Sequence, residues 1–186
     1  MTFFMETTDR LLVHGRTFEK ILSEESIQTR VDLLGEQISA RFADDNPLFM
    51  PVLNGAFIFA ADLIRRFRGH CQTDFVRLSS YQGDQSGGQV RTVLGIDHDL
   101  RGRHLIVVED IVDTGRTIAH FLETLRTQEP ASISVAAFLR KPEAMIVPVP
   151  VDYLGFDIPN RFVVGYGLDF DGHGRNLPAV YGMVND

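Results

Sequence analysis

The chain has 186 residues, 44% apolar and 23% charged, which is enough to close one substantial hydrophobic core and too apolar for wholesale disorder. A net charge of -7 leaves it without the basic field that a general nucleic-acid binder needs. The first ten residues lack a basic stretch leading into an apolar run, and the longest apolar stretches, 56–61 and 145–151, are far too short to span a bilayer, so neither a signal peptide nor a membrane protein is expected and the predicted location is cytoplasmic.

Residues 24–42 carry Ile27, Val31, Leu34, Ile38 and Phe42 at intervals of three and four, the stripe of an amphipathic helix. Ser23 is placed to cap it, and Glu24 and Glu25 suit the positive end of the helix dipole. A strand is predicted over 47–53, followed by an Asn54-Gly55 turn and a second helical stripe of Phe57, Ala60, Ala61, Ile64 and Phe67. Cys71, the single cysteine, excludes an intrachain disulfide and fits a reducing compartment. No neighbour in sequence lowers its pKa, so it reads as a small packed side chain rather than a nucleophile.

Strands are predicted over 74–80 and 90–94, separated by a polar, Gly-rich loop or flap at 82–89. Residues 104–108 are solidly apolar, as in a strand buried on both faces. A helix over 115–128 and a strand over 132–139 follow. Three prolines keep 142–150 from forming a regular central element, and 153–156 and 162–166 read as short strands or strand ends. Alternating strands and helices predict an α/β fold with a mostly parallel sheet flanked by helices.

The most informative stretch is LIVVEDIVDTGRTI, residues 105–118. A buried strand runs into the adjacent carboxylates Glu109 and Asp110; then come Asp113, a Thr114-Gly115 turn and a helix. The crevice beyond the carboxyl ends of strands in such sheets is where ligands bind. A helix N-terminus supplies free N–H groups and positive potential for a phosphate, to which Thr114 and Thr117 add hydroxyls and Arg116 adds charge. Acids beside a phosphate site would repel the anion unless they have other tasks. Glu109 and Asp110 are suited to sugar hydroxyls or a divalent cation, and Asp113 to acid–base work. Together they suggest a ribose 5-phosphate ligand. Neither a Walker A loop nor a dinucleotide fingerprint is present.

The segment VVEDIVDTGRT resembles the phosphoribosyl pyrophosphate signature of type I phosphoribosyltransferases. PVLNGAFIFAADL, Ser80-Tyr81, RKP, RFVVGYGLDFD and RNLP, in that order, narrow the resemblance to the hypoxanthine-guanine branch over roughly residues 20–180. The resemblance implies one domain over 1–186, with N- and C-terminal segments forming a small hood over the base site. It further implies Mg²⁺ as cofactor, phosphoribosyl pyrophosphate and a 6-oxopurine as substrates, and a homodimer or homotetramer without nucleic-acid or membrane partners. By the same resemblance Glu109 and Asp110 hold the ribose hydroxyls and Mg²⁺, Asp113 handles the proton at purine N7, and Asp113, Thr114, Gly115, Arg116 and Thr117 bind the 5′-phosphate. Lys141 donates to the exocyclic O6, Phe162 stacks on the purine, and the Val163 backbone meets its edge. Asp169 serves a second Mg²⁺ or its water shell, Arg175 contacts pyrophosphate, and Leu53-Asn54-Gly55 forms the pyrophosphate loop, in which this family often has a non-proline cis peptide. Ser80 and Tyr81 begin a lid. A lysine only donates hydrogen bonds, which favours an oxo group over an amino group.

Two departures from the family pattern stand out. Asn54 occupies a position that is commonly basic, which bears on pyrophosphate affinity and on any contact there with a neighbouring subunit. Gly172-His173-Gly174 precedes Arg175 without the usual aromatic residue, so Arg175 is expected to be held loosely. Other transferases of the same fold, acting on adenine or xanthine, and a nucleic-acid-binding regulator are the competing readings. Retention of Asp113, Lys141 and Phe162 and the acidic charge oppose the regulator.

Overall fold

The computed structural model describes residues 9–80, 90–92 and 99–184. The chain enters through a hairpin, β1 (Arg10–Val13) and β2 (Arg16–Leu22), and continues into α1 (Glu24–Phe42), β3 (Leu48–Leu53), α2 (Phe57–Arg66), β4 (Gln72–Thr73), β5 (Val76–Ser80) and β6 (Val90–Thr92). The long central strand β7 (His104–Val112) leads to α3 (Arg116–Arg126), β8 (Ser132–Arg140), a 3₁₀ turn at Pro142–Ala144, β9 (Tyr153–Asp157), β10 (Val163–Val164) and β11 (Val180–Met183).

Among the described residues, the main sheet has the order β6-β5-β3-β7-β8-β9, with β4 also beside β3. The pairs β3–β5, β3–β7, β7–β8 and β8–β9 are parallel, and only the edge pair β5–β6 is antiparallel. This is the mostly parallel α/β sheet that the strand–helix alternation predicts. A second, antiparallel sheet of order β1-β2-β11-β10 joins the two ends of the chain.

From Leu105 to Val108 successive side chains of β7 enter opposite cores. Ile106 and Val108 meet α1 and α2 through Ile27, Val31, Leu34, Phe59 and Leu63. Leu105 and Val107 meet α3 through Ile118, Phe121, Leu122 and Leu125. Helices therefore cover both faces. Ile27, Val31, Leu34 and Ile38 are fully buried, and truncating one such side chain to alanine costs about 2–5 kcal/mol. Ser23 caps α1 by accepting from the Ser26 N–H at 3.2 Å.

Several elements depart from the sequence expectation. The central strand continues to Val112 instead of stopping before the acids, because β8 goes on supplying backbone partners, opposite Glu109, Ile111 and Val112. In α2 the buried face is Phe59, Ala60 and Leu63, whereas Phe57 and Ala61 face outward; in so apolar a helix, periodicity does not single out one stripe. Strand β5 starts at Val76, not at residue 74, and β10 spans two residues only. The flap at 82–89 and the end of the strand predicted over 90–94 lie outside the described residues. Cys71 is half-buried and burial pushes its thiol pKa up, as suits a packed side chain. No helix of the described residues is long and apolar enough to cross a membrane.

Candidate active site

The carboxyl end of β7 opens into a cleft of about 180 Å³ lined by Glu109, Asp110, Ile111, Val112, Asp113, Thr114, Gly115, Thr117 and Ile118. Its floor is the start of α3. Gly115 precedes that helix in the left-handed region, φ 79°, and no side chain caps the exposed N–H groups. Those donors and the dipole's positive end therefore face the cleft unpaired. A side chain at Gly115 would run into the carbonyl of Val147, so the proline-bearing stretch after the 3₁₀ turn packs directly under this turn. The Ile146 and Val147 N–H groups both donate to Thr114 O at 3.0 Å. Arg116 is exposed and does not line the cleft.

Glu109 and Asp110 are half-buried where they line the cleft. Burial, then the charge of Asp110, then a hydrogen bond between the two hold Glu109 well above the usual carboxylate range. Burial also raises Asp110, tempered by the bond to Glu109, by the Ile111 N–H at 2.7 Å and by the charge of Arg175. Arg175 is the one cation that acts on this pair among the described residues. Among the described residues no three His, Cys, Asp or Glu side chains form a metal-binding group, so a cation here would take most of its ligands from elsewhere. Mg²⁺ is commonly bound in this way, through one or two carboxylates, water and substrate phosphates, and the hard oxygen donors of Glu109 and Asp110 fit it.

Asp113, half-exposed at the rim, accepts from Lys141 Nζ at 3.4 Å. Lys141 is only 7% exposed, which separates it from an ordinary surface lysine. Its backbone N–H donates to Val112 O at 2.9 Å. β7 and β8 thus end side by side and bring together two residues far apart in sequence.

On the other flank, the Leu53–Asn54 peptide is cis, as the resemblance led us to expect. Asn54 is exposed and Gly55 buried. A Cβ at Gly55 would overlap the Asp110 carboxylate, and one at Gly167 would overlap the Gly55 carbonyl. The loop after β3, the acid pair and the loop after β10 are therefore stacked backbone against side chain. Arg175 is not loose. Its guanidinium pairs with Asp169 Oδ1 at 2.7 Å and donates to Gly167 O at 2.7 Å, while its carbonyl accepts from the Gly167 N–H at 3.0 Å. These partners do the holding that an aromatic neighbour was expected to do. Asp169 Oδ2 also accepts from the Gly172 N–H at 2.7 Å. His173 packs against His14, ring centroids 5.1 Å apart.

Phe162 is 47% exposed and meets Phe170 edge-on at 5.5 Å. The next residue, Val163, is buried and pairs with Gly182 of β11. Arg161 fastens this turn by donating to Glu19 at 2.9 Å and to Met183 O at 2.7 Å. Sequence reasoning passed over Arg161, Gly167 and the buried Tyr166; the visible signal was a tyrosine between two glycines. Tyr81 and the flap at 82–89 lie outside the described residues. Ser80 ends β5.

A model of the phosphoribosyl transferase domain matches residues 18–171. The hypoxanthine-guanine phosphoribosyltransferase of Lactococcus lactis subsp. lactis (strain IL1403) is 42% identical over 167 residues, covering 89% of this chain and 91% of the relative. Among solved structures, a hypoxanthine-guanine phosphoribosyltransferase from Bacillus anthracis str. 'Ames Ancestor' superposes with a TM-score of 0.82 at 36% identity, covering 89% of this chain and 96% of that one. The hypoxanthine phosphoribosyl transferase of Trypanosoma cruzi superposes with a TM-score of 0.85 at 32% identity, covering 94% and 95%. With its acid-lined cleft at the start of α3, its cis loop and these likenesses along most of its length, the chain belongs to the type I phosphoribosyltransferase family, in the hypoxanthine-guanine phosphoribosyltransferase group.

Proposed function

We propose that the chain serves purine salvage by transferring 5-phosphoribosyl from phosphoribosyl pyrophosphate to hypoxanthine or guanine, giving IMP or GMP and pyrophosphate. The observation that carries this reading is the buried Lys141 beside Asp113, at the rim of a cleft that joins an acid pair to an uncapped helix N-terminus. A buried ammonium is a fixed donor matched to a 6-oxo group, and the same rim carries the carboxylate that a departing base proton needs.

In this reading the α3 N-terminus, with Asp113, Thr114, Gly115, Arg116 and Thr117, receives the 5′-phosphate, and Glu109 and Asp110 hold the ribose hydroxyls. The bond from ribose C1 to pyrophosphate breaks as the bond to purine N9 forms, through a transition state with positive charge on the ribose. The acid pair tolerates that charge. Asp113 accepts the proton from the base, Lys141 holds O6, Phe162 stacks on the ring and the Val163 backbone meets its edge. Asn54, Gly55 and Arg175 receive the leaving pyrophosphate. Glu109 and Asp110 would hold Mg²⁺, and Asp169 a second Mg²⁺ or its water shell; bound there, the metal would neutralise charge on the pyrophosphate.

The small sheet and its loops act as the hood over the base, making the whole chain one catalytic domain. Ser80-Tyr81 and the stretch after them exclude water as a lid. The active form is a cytoplasmic homodimer or homotetramer without nucleic-acid or membrane partners.

The test is nucleotide formation by the purified protein from phosphoribosyl pyrophosphate with hypoxanthine, guanine, xanthine and adenine in turn, with and without Mg²⁺. Mg²⁺-dependent formation of IMP or GMP is expected. Turnover of adenine or xanthine alone, or none at all, would reject the reading.

A further inference from the structure

Behind the cleft, Tyr166 sits in the turn between the base-side residues Phe162 and Val163 and the pyrophosphate-side residues Asp169 and Arg175. It is 2% exposed and holds φ at 49° between two glycines that also have positive φ. Its ring packs on Phe138 with centroids 4.8 Å apart, and its hydroxyl donates to Asp62 Oδ2 at 2.7 Å. Asp62 lies on α2, the helix that begins two residues after Gly55. The same carboxylate oxygen accepts from Gln28 Nε2 at 3.1 Å; Gln28 Oε1 accepts from Arg66 at 2.6 Å, and Arg66 pairs with Asp32 at 2.6 Å. The phenol is thus moored to a network that fixes α2 on α1.

This mooring has a geometric consequence at the site. On one side of Tyr166, Gly167 abuts the Gly55 carbonyl too closely for any side chain, and Gly55 abuts the Asp110 carboxylate in the same way. Gly167 also exchanges backbone and guanidinium bonds with Arg175. Through α2, Asp62 is tied to the loop that holds Asn54 and Gly55; through Tyr166, to the turn that holds Arg175.

We infer that the Tyr166–Asp62 hydrogen bond is a positioning element that sets the span between the loop at Asn54-Gly55 and Arg175, and so tunes recognition of the pyrophosphate group rather than of the base. The inference rests on the function proposed above. It assigns work to two residues that touch no substrate. Misplacement by about 1 Å at a reacting site can cost on the order of 10²-fold in rate, so a small drift of this turn would be measurable.

The experiment compares the wild-type enzyme with Tyr166→Phe, which keeps the ring and removes only the hydroxyl, and with Asp62→Asn, which keeps an oxygen to accept from it. KM is measured for phosphoribosyl pyrophosphate and hypoxanthine in the forward direction, KM for pyrophosphate in reverse, and thermal stability alongside. Tyr166→Phe should raise KM for both pyrophosphate-bearing substrates about fivefold or more, as expected for loss of a positioning contact, with KM for hypoxanthine within about twofold. Asp62→Asn should stay near wild type. Equal changes in every KM, or lowered stability with unchanged KM values, would assign the pair to packing alone and overturn the inference, as would failure of both variants to fold. An inactive wild type would instead sink the parent function, and this inference with it.

Discussion

Lys141 Nζ stands 3.4 Å from Asp113 Oδ2, and the backbone of the same lysine is bonded to Val112 at the end of β7. Donor and carboxylate are therefore fixed to two neighbouring strands, one residue beyond the last paired position of each. A purine entering beside them would meet a hydrogen-bond donor and a proton acceptor 3.4 Å apart. A hydrogen bond to a charged group is worth about 1.5–3 kcal/mol, so Lys141→Ala should lower kcat/KM for hypoxanthine about 10- to 150-fold. Unsubstituted purine, which lacks O6, should lose far less. Steady-state rates with both bases decide the point; equal losses would dissociate Lys141 from O6.

Asp113 is at the rim and Glu109 and Asp110 are deeper, and the proposed function gives the proton to the first and the sugar to the other two. Asp113→Asn keeps the size and hydrogen-bonding reach of the side chain while removing its basicity. Its kcat should fall by about 10²–10⁴-fold, the usual worth of general acid–base help, while affinity for phosphoribosyl pyrophosphate changes only severalfold. Product formation and equilibrium binding measured on the same preparation test this, and a near-normal turnover would refute the proton role.

The acid pair gives the unliganded protein a pH dependence of definite sign. Burial raises the folded-state pKa of both groups, and the charge of Asp110 raises Glu109 further, so the folded chain binds protons more tightly than the unfolded one. Their contribution to stability is then fully present below the ordinary carboxylate pKa of about 4, and it declines as pH rises from there through the raised folded values. Glu109→Gln removes one of the two charges. It should raise Tm relative to wild type at neutral pH, with the gap closing toward pH 4, while abolishing Mg²⁺-dependent binding of phosphoribosyl pyrophosphate. Melting curves across pH without ligand measure this. A variant less stable than wild type at pH 7 would contradict the cost assigned to the pair.

The parts legible in sequence were those whose pattern is local. The stripe from Ile27 to Phe42, capped by Ser23, needed one element only, and the apolar run before Glu109 announced a buried strand. The acids after it suggest the strand's end by their side-chain character, to which backbone pairing is indifferent; the ladder with β8 carries on to Val112. The small sheet depends on β2 meeting β11, Phe18 opposite Met183, and no window of local sequence holds both. The burial of Lys141 is hidden for the same reason, since it follows from β7 and β8 ending side by side. Arg175, Asp169 and Gly167 do share one stretch, but an irregular turn and no periodic pattern joins them, so the arginine alone reads as a surface charge.

Gly55 is where a single methyl group should do most damage. An added Cβ would overlap the Asp110 carboxylate, so either the loop or the acid has to move. Gly55→Ala should raise KM for phosphoribosyl pyrophosphate at least about tenfold, well within the reach of sub-ångström to ångström misplacement, and should raise the Mg²⁺ concentration needed for half-maximal rate. Kinetics over a Mg²⁺ titration check both. Unchanged values would mean that the acid pair accommodates the methyl group without loss of function.

Phe162 offers the opposite balance, a large functional effect for little structural loss. Nearly half of it is exposed, at 47%, and its ring contact is the edge of Phe170, so the fold derives little from burying it. Stacking of an aromatic side chain on a nucleobase is worth about 1–3 kcal/mol. Phe162→Ala should therefore raise KM for hypoxanthine and guanine about 5- to 150-fold. KM for phosphoribosyl pyrophosphate should stay within about threefold, since the α3 N-terminus and the acid pair are untouched, and Tm should shift by only a few degrees, as for surface substitutions. Phe162→Tyr, which keeps the π-face, should restore most of the base affinity. Parallel titration of base and phosphoribosyl pyrophosphate, with a melting curve for each variant, separates this from a structural role, in which both KM values and Tm would move together.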